Sequence, residues 1–323
     1  MNTLRWLLTN QLKRSQQHKE NGGYTLIELL VAMIMAALVI TPLLGVMINI
    51  LDTDRKEQAK TNSEQEVQAA IDYISRDLQQ AMYIYDATGV DAIKNQLPTD
   101  TNINPVLVFW KREFVKDAAI TKTKDKEKKD VTFTDDSFVY SLVAYYLIKD
   151  NKDPWSKAAR IARFQIRDGV PNKNGNICST AYDTSGKYTE CPDDGFQQVN
   201  LVQKGKTLEE KMNSWKKTSQ AYKQKPIVLV DFIDQTTTDK GALAASCPTG
   251  LAVVPSSITM TGFYTCVDSV STQNRSVAEV YLRGNALARL INQENKMLYN
   301  PSQTTYFPTA KIRLEGRSFI FSK

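Results

Sequence analysis

The sequence predicts an α+β chain in which one long N-terminal helix packs on an antiparallel β-sheet carrying inserts. Three observations lead there. From Leu29 to Leu51 only Thr41, Pro42 and Asn49 interrupt an apolar run long enough to span a bilayer. Asp52 to Tyr85 then holds no Gly or Pro and is rich in Glu, Gln, Lys, Arg and Ala. Beyond it, segments dense in β-branched and aromatic residues alternate with turn-rich stretches.

The elements follow in order. Arg5, Lys13, Arg14 and Lys19 precede the apolar run, which puts the amino terminus in the cytoplasm and the rest outside it. Pro42 removes one helical hydrogen bond and is expected to kink or locally melt the helix. From Val67, through Ile71, Ile74, Leu78 and Met82 to Tyr85, apolar residues recur at spacings of three and four. That is one stripe, which must lie on something, and a sheet in the same chain is the obvious partner. Gly89 and the stretch from Pro98 to Pro105 mark the exit from the helix. Expected strands cover 106–115, 138–149, 160–170, 227–234, 257–270 and 277–282. The segment from Phe138 is apolar on both faces, as a central strand requires. Arg160, Arg163 and Arg167 recur through the next strand and imply an exposed basic face. Two inserts break the pattern: a charged hairpin loop at 116–130, and a stretch at 203–225 with room for a surface helix from Leu208 to Tyr222.

Composition narrows the chemistry. The one histidine, His18, precedes the apolar run, so a chain shortened there has lost the usual general base and commonest metal ligand. Cys178, Cys191, Cys247 and Cys266 all follow the apolar run, and an even count in an exported domain reads as disulfides. Sequential pairing is taken from the three connectivities, each short loop being worth about 3 kcal/mol. A four-cysteine zinc site has no C-x2-C pair to build on. Neither insert interleaves basic residues with aromatics as single-strand nucleic-acid grooves do, so nucleic acid is not an expected partner. Gly205-Lys206-Thr207 ends like a phosphate-binding loop, but Asn200 stands where the first glycine belongs. Asp183, Glu190, Asp193 and Asp194 could offer oxygens to calcium, but they lack EF-hand spacing and read first as turn chemistry. No metal and no cofactor are expected.

The most specific stretch is Gly22-Gly23-Tyr24-Thr25-Leu26-Ile27-Glu28-Leu29-Leu30. Glu28 puts a carboxylate in a membrane helix, which costs several kcal/mol unless it is partnered. An ordinary signal peptide would be cut beyond its apolar region, whereas the small residues at Met35-Ala36-Ala37 lie inside it. An uncleaved anchor leaves both the glycine pair and Glu28 without a reason.

This stretch resembles the class III signal of type IV pilins and type II secretion pseudopilins. The resemblance implies a prepilin leader over 1–23, cut by a prepilin peptidase between Gly23 and Tyr24, and N-methylation of Tyr24. It implies that Glu28 pairs with the terminal amine of a neighbouring subunit during assembly. Four Lys/Arg and Glu20 would leave with the leader, lowering the net charge from +6 to +3. The implied domains are a transmembrane and polymerisation helix (24–51), an amphipathic spine helix (52–86) and a periplasmic β-rich domain (87–323). The implied partners are prepilin peptidase, other pilins or pseudopilins, an inner-membrane assembly platform and membrane lipid.

Ala70-Ile-Asp-Tyr-Ile-Ser-Arg-Asp-Leu-Gln-Gln-Ala81 resembles the helix of PilW- and PulJ-type minor components. The segments Tyr140 to Leu147 and Trp155 to Gly169 are similar to pseudopilins of cyanobacterial hormogonium polysaccharide secretion. The expectation is a non-enzymatic structural subunit serving motility and polysaccharide export. The competing expectation is an anchored, unpolymerised ectodomain binding polysaccharide or another ligand, for which Trp110, Trp155 and Trp215 are the candidate platforms.

Overall fold

The computed structural model describes residues 23–98, 102–124, 130–179, 182–183, 185–268 and 277–316. Residues 1–22 of the expected leader, and the tip of the charged hairpin at 125–129, lie outside the described residues. The chain divides into two compact units, one ending at Arg55 and one beginning at Lys56.

Helix α1, Leu26–Leu78, contributes residues to both units. In the first, its apolar side chains stand exposed, and it is long and apolar enough to cross a membrane. The helix is not melted at Pro42, where Thr41 Oγ1 donates to the Ala37 carbonyl at 2.8 Å. In the second unit the helix turns amphipathic. Val67, Ile71, Ile74 and Leu78 are buried in one apolar core with Phe109, Val143, Tyr145 and Ile161.

The spine helix stops earlier than the spacing predicts. Met82 and Tyr85 are not on the helical stripe: Ala81–Ile84 forms strand β1. Met82-Tyr83-Ile84-Tyr85 combines β-branched and aromatic side chains, and the ladder to the next strand takes them over. Nor is Gly89 an exit. It lies inside helix α2, Ala87–Ile93, where its N–H is capped by Asp86 at 2.8 Å. A Cβ there would come within 2.7 Å of the Tyr85 ring.

Strands β2 (Ile103–Lys124), β3 (Asp130–Ile148), β4 (Ala159–Arg167) and β7 (Ile227–Ile233) join β1 in an antiparallel sheet ordered β1-β2-β3-β4-β7. The apolar segment from Phe138 is the middle strand, buried on both faces from Leu142 to Ile148. The charged insert at 116–130 is less of a loop than its lysines suggest. Strand β2 runs into it as far as Lys124 and β3 begins at Asp130, with a bulge between Val115 and Ala119. Asp117 sits there at φ 53°, and its N–H is held by Asp136 at 3.0 Å. Aspartate tolerates this left-handed conformation better than most residues, so the ladder resumes.

The remaining strands are β5 (Val170–Ile177) with β6 (Lys187–Glu190), and a second sheet ordered β11-β10-β9-β8. The latter comprises β8 (Ala252–Val254), β9 (Phe263–Asp268), β10 (Val277–Arg283) and β11 (Thr309–Glu315). Phe263, Val267 and Val280 share the core of the helix stripe, and Thr265 Oγ1 donates to the Val106 carbonyl at 3.0 Å. Gly284 lets the helix approach closely, since a Cβ there would meet Val67 at 2.7 Å and Ser63 at 2.8 Å. The second insert yields only helix α3, Leu208–Asn213, opened by a capping box between Thr207 and Glu210. Thr207, the last residue of the rejected phosphate-loop lookalike, thus works as a helix cap.

Candidate functional site

The N-terminal segment begins with Gly23, Tyr24 and Thr25 outside the helix, all exposed. Thr25 is the cap: its Oγ1 accepts from the Glu28 N–H at 3.3 Å, and its carbonyl accepts from Glu28 at 3.0 Å and Leu29 at 3.1 Å. Glu28 stands in the first turn, where the positive end of the helix dipole favours a carboxylate. Thr25-Leu-Ile-Glu28 has capping-box spacing, which gives Glu28 a local reason within the helix. Among the described residues no cation pairs with the Glu28 carboxylate, which is exposed. Tyr24 precedes Glu28 by four residues, just ahead of the helix.

The opposite end of the helix holds a carboxylate that sequence reasoning missed. Asp77 lies in the last turn, where the dipole disfavours a negative charge, yet it is buried. Three strands converge on it. Lys111 Nζ of β2 is at 2.9 Å, the Tyr145 hydroxyl of β3 donates at 2.8 Å, and Arg163 Nε of β4 is at 2.7 Å. Burial alone would raise the Asp77 pKa, but the Arg163 guanidinium and Lys111 ammonium outweigh it and hold it below the usual carboxylate range. Burial and the neighbouring carboxylate push the Tyr145 phenol well up. The chain of contacts continues from Arg163 to Gln165 and on to Glu113, which accepts from Ser141 at 2.7 Å.

This overturns the expected basic face of the fourth strand. Arg163 faces Asp77, and Arg160 is buried in a bidentate pair with Asp150 at 2.6 and 2.9 Å. Only Arg167 stays near the surface, paired with Glu190 at 2.6 Å.

Cys178 is bonded to Cys191 and Cys247 to Cys266. Around the first bridge the four acidic candidates disperse. Asp183 holds Ser185 in a turn, Glu190 holds Arg167, Asp193 accepts from the Arg167 N–H at 2.8 Å, and Asp194 pairs with Lys223 at 2.9 Å. Among the described residues no three His, Cys, Asp or Glu gather as a metal site.

The tryptophans separate too. Trp110 and Trp215 are buried and packed edge to face at 5.8 Å, with their indole N–H groups bonded to Tyr85 Oη and the Gln197 carbonyl. They are core, unavailable as platforms. Of the three candidates only Trp155 is exposed, at 40% of the residue.

With this geometry in place, the comparisons with known proteins bear on the N-terminal segment alone. Residues 18–44 match the prokaryotic N-terminal methylation motif. No curated protein and no solved structure matches the chain. The motif, joined to a long apolar helix followed by antiparallel sheets, supports a membrane-anchored, type IV pilin-like protein processed by prepilin peptidase. The α+β architecture is pilin-like, with one long N-terminal helix ahead of the sheets.

Proposed function

We propose that the chain is a non-enzymatic minor pilin or pseudopilin of the PilW and PulJ kind. It is cut between Gly23 and Tyr24, N-methylated at Tyr24, and assembled through its N-terminal helix into a pilus-like or pseudopilus-like polymer. Glu28 supplies the assembly charge by meeting the terminal amine of a neighbouring subunit. In an apolar medium such a pair fixes register, because a slipped subunit leaves a charge unpaired. The system served is motility with polysaccharide export, on the resemblance of the Tyr140 to Leu147 and Trp155 to Gly169 segments. The globular domain faces the periplasm, where its two disulfides can persist.

The observation that carries this reading is the motif at residues 18–44, opening a helix whose apolar side chains stand exposed. N-terminal mass spectrometry of the protein from its native membrane, with and without prepilin peptidase, tests it. A chain starting at N-methyl-Tyr24 only when the peptidase is present supports the proposal. A chain retaining Met1, or starting beyond Leu51, sinks it and returns the anchored, unpolymerised ectodomain.

A further inference from the structure

A pocket of about 710 Å³ opens on the globular unit beside Trp155, within the volume range of small-ligand sites. Its lining has an unusual balance. Of its two carboxylates, Glu66 pairs with Arg289, and Asp231 accepts from the Ser156 N–H at 2.8 Å and the Ser156 hydroxyl at 2.7 Å. Arg289 in turn lies over the Phe232 ring at 4.0 Å. The charges of the lining therefore offset one another, with Lys157 and Arg289 against Glu66 and Asp231.

Two exposed polar groups stand at the rim: Lys157, whose ammonium donates to the Asn292 carbonyl at 3.4 Å, and Asn292 itself. The Trp155 ring is backed by the Arg160 guanidinium at 5.7 Å, and Arg160 is itself fixed by Asp150. Phe232, on the pocket wall, adopts φ 58°. A bulky residue held there costs about 1–3 kcal/mol, and such strain concentrates at binding sites. A rigid aromatic face beside an amide and an ammonium, with no net charge, suits a ring that is apolar on its faces and hydroxylated at its edge.

We propose that this pocket binds a pyranose unit of a saccharide chain, stacked on Trp155 and hydrogen-bonded at its edge by Asn292 and Lys157. The inference goes beyond assembly and needs only the globular unit, so it can stand or fall without the processing reading. The full-length protein in detergent micelles is titrated calorimetrically with cellohexaose as a neutral probe and with oligogalacturonate as an acidic one. Trp155→Ala is expected to weaken binding by about tenfold or more, the size of a lost aromatic contact. Asn292→Ala, at an exposed position, is expected to weaken it without moving the unfolding midpoint. If Lys157→Ala weakens only the oligogalacturonate, the bound unit is a uronate; if it weakens both, the unit is neutral; if it weakens neither, the Lys157 contact is overturned. Failure of both probes to bind at millimolar concentration overturns the proposal, and so does binding that Trp155→Ala and Asn292→Ala leave unchanged.

Discussion

The two ends of α1 each carry a carboxylate, and the two are treated in opposite ways. Asp77 sits against the helix dipole, is buried, and is answered from within the chain by Lys111, Tyr145 and Arg163. Glu28 sits with the dipole, is exposed, and has no cation among the described residues. The apolar side chains follow the same division: Val67, Ile71 and Ile74 are buried, whereas Leu38, Leu43 and Ile50 are exposed. One end of the helix has its needs met by its own fold, and the other has them left to surroundings that the described residues do not supply. A residue's contribution to folding and its contribution to assembly should therefore trade places along the helix.

The sharpest test removes Asp77. Asp77→Ala leaves Lys111 and Arg163 facing each other without their acid and is expected to destabilise the globular unit by about 3–5 kcal/mol, read by urea unfolding of the full chain in detergent. A loss below about 1 kcal/mol would mean that the cluster is solvated and the contrast between the two ends false.

Next in size is a matched pair of apolar truncations. Ile74→Ala is expected to cost about 2–5 kcal/mol by opening a cavity in the core, whereas Leu43→Ala should leave the unfolding midpoint of the globular unit unchanged. Equal effects in the same assay would erase the division of the helix.

Acid sharpens the comparison further. The Asp77 pKa is lowered in the folded state, so its contribution to stability is present above the unfolded value, about 4, and fades as pH falls through the folded value. Asp168 and Asp193 act in the opposite direction. Burial raises both, so what they contribute is present at low pH and lost as pH rises through their folded values. Stability measured from pH 6 down to pH 2 should fall, and Asp77→Asn should flatten that fall. An unchanged slope would show that other carboxylates govern the acid limb.

The smallest effect on stability is expected at Glu28. Glu28→Gln should shift unfolding of the globular unit by less than about 0.5 kcal/mol, as surface substitutions usually do. Its incorporation into polymer, followed by fractionation and immunoblotting of sheared fibres, should nevertheless be lost. Normal incorporation would make Glu28 a helix-capping residue and nothing more.

How much of this was legible in sequence depended on where each residue's partner lies. The central strand was readable because Leu142 to Ile148 is apolar at successive positions, and these residues are buried on both faces. The N-terminal segment was readable because its chemistry is local: glycine, cap and carboxylate fall within six residues from Gly23 to Glu28. The arginines of β4 misled because an alternating arginine looks solvated until its acid is known, and Asp77 lies 86 positions before Arg163. The helix end misled for a different reason. Spacings of three and four continue by coincidence into β1, and only the ladder to β2 distinguishes a strand there. β11 follows period two with Ile312 and Leu314, but its Lys311 and Arg313 disguise it as surface. One signal for Asp77 was available: an acid in the last turn of a helix invites the question of what neutralises it.

The cap at Thr25 has a consequence for how such a chain can be edited. The bond between Gly23 and Tyr24 lies ahead of the first helical hydrogen bond, which Thr25 itself receives. A peptidase acting there would meet backbone already outside the coil of the helix. It would exchange a long polar extension for a bare ammonium while every rung of the ladder behind it stayed closed. The same rod could thus serve first as an anchored precursor and then as a building block, with its head changed and its body untouched.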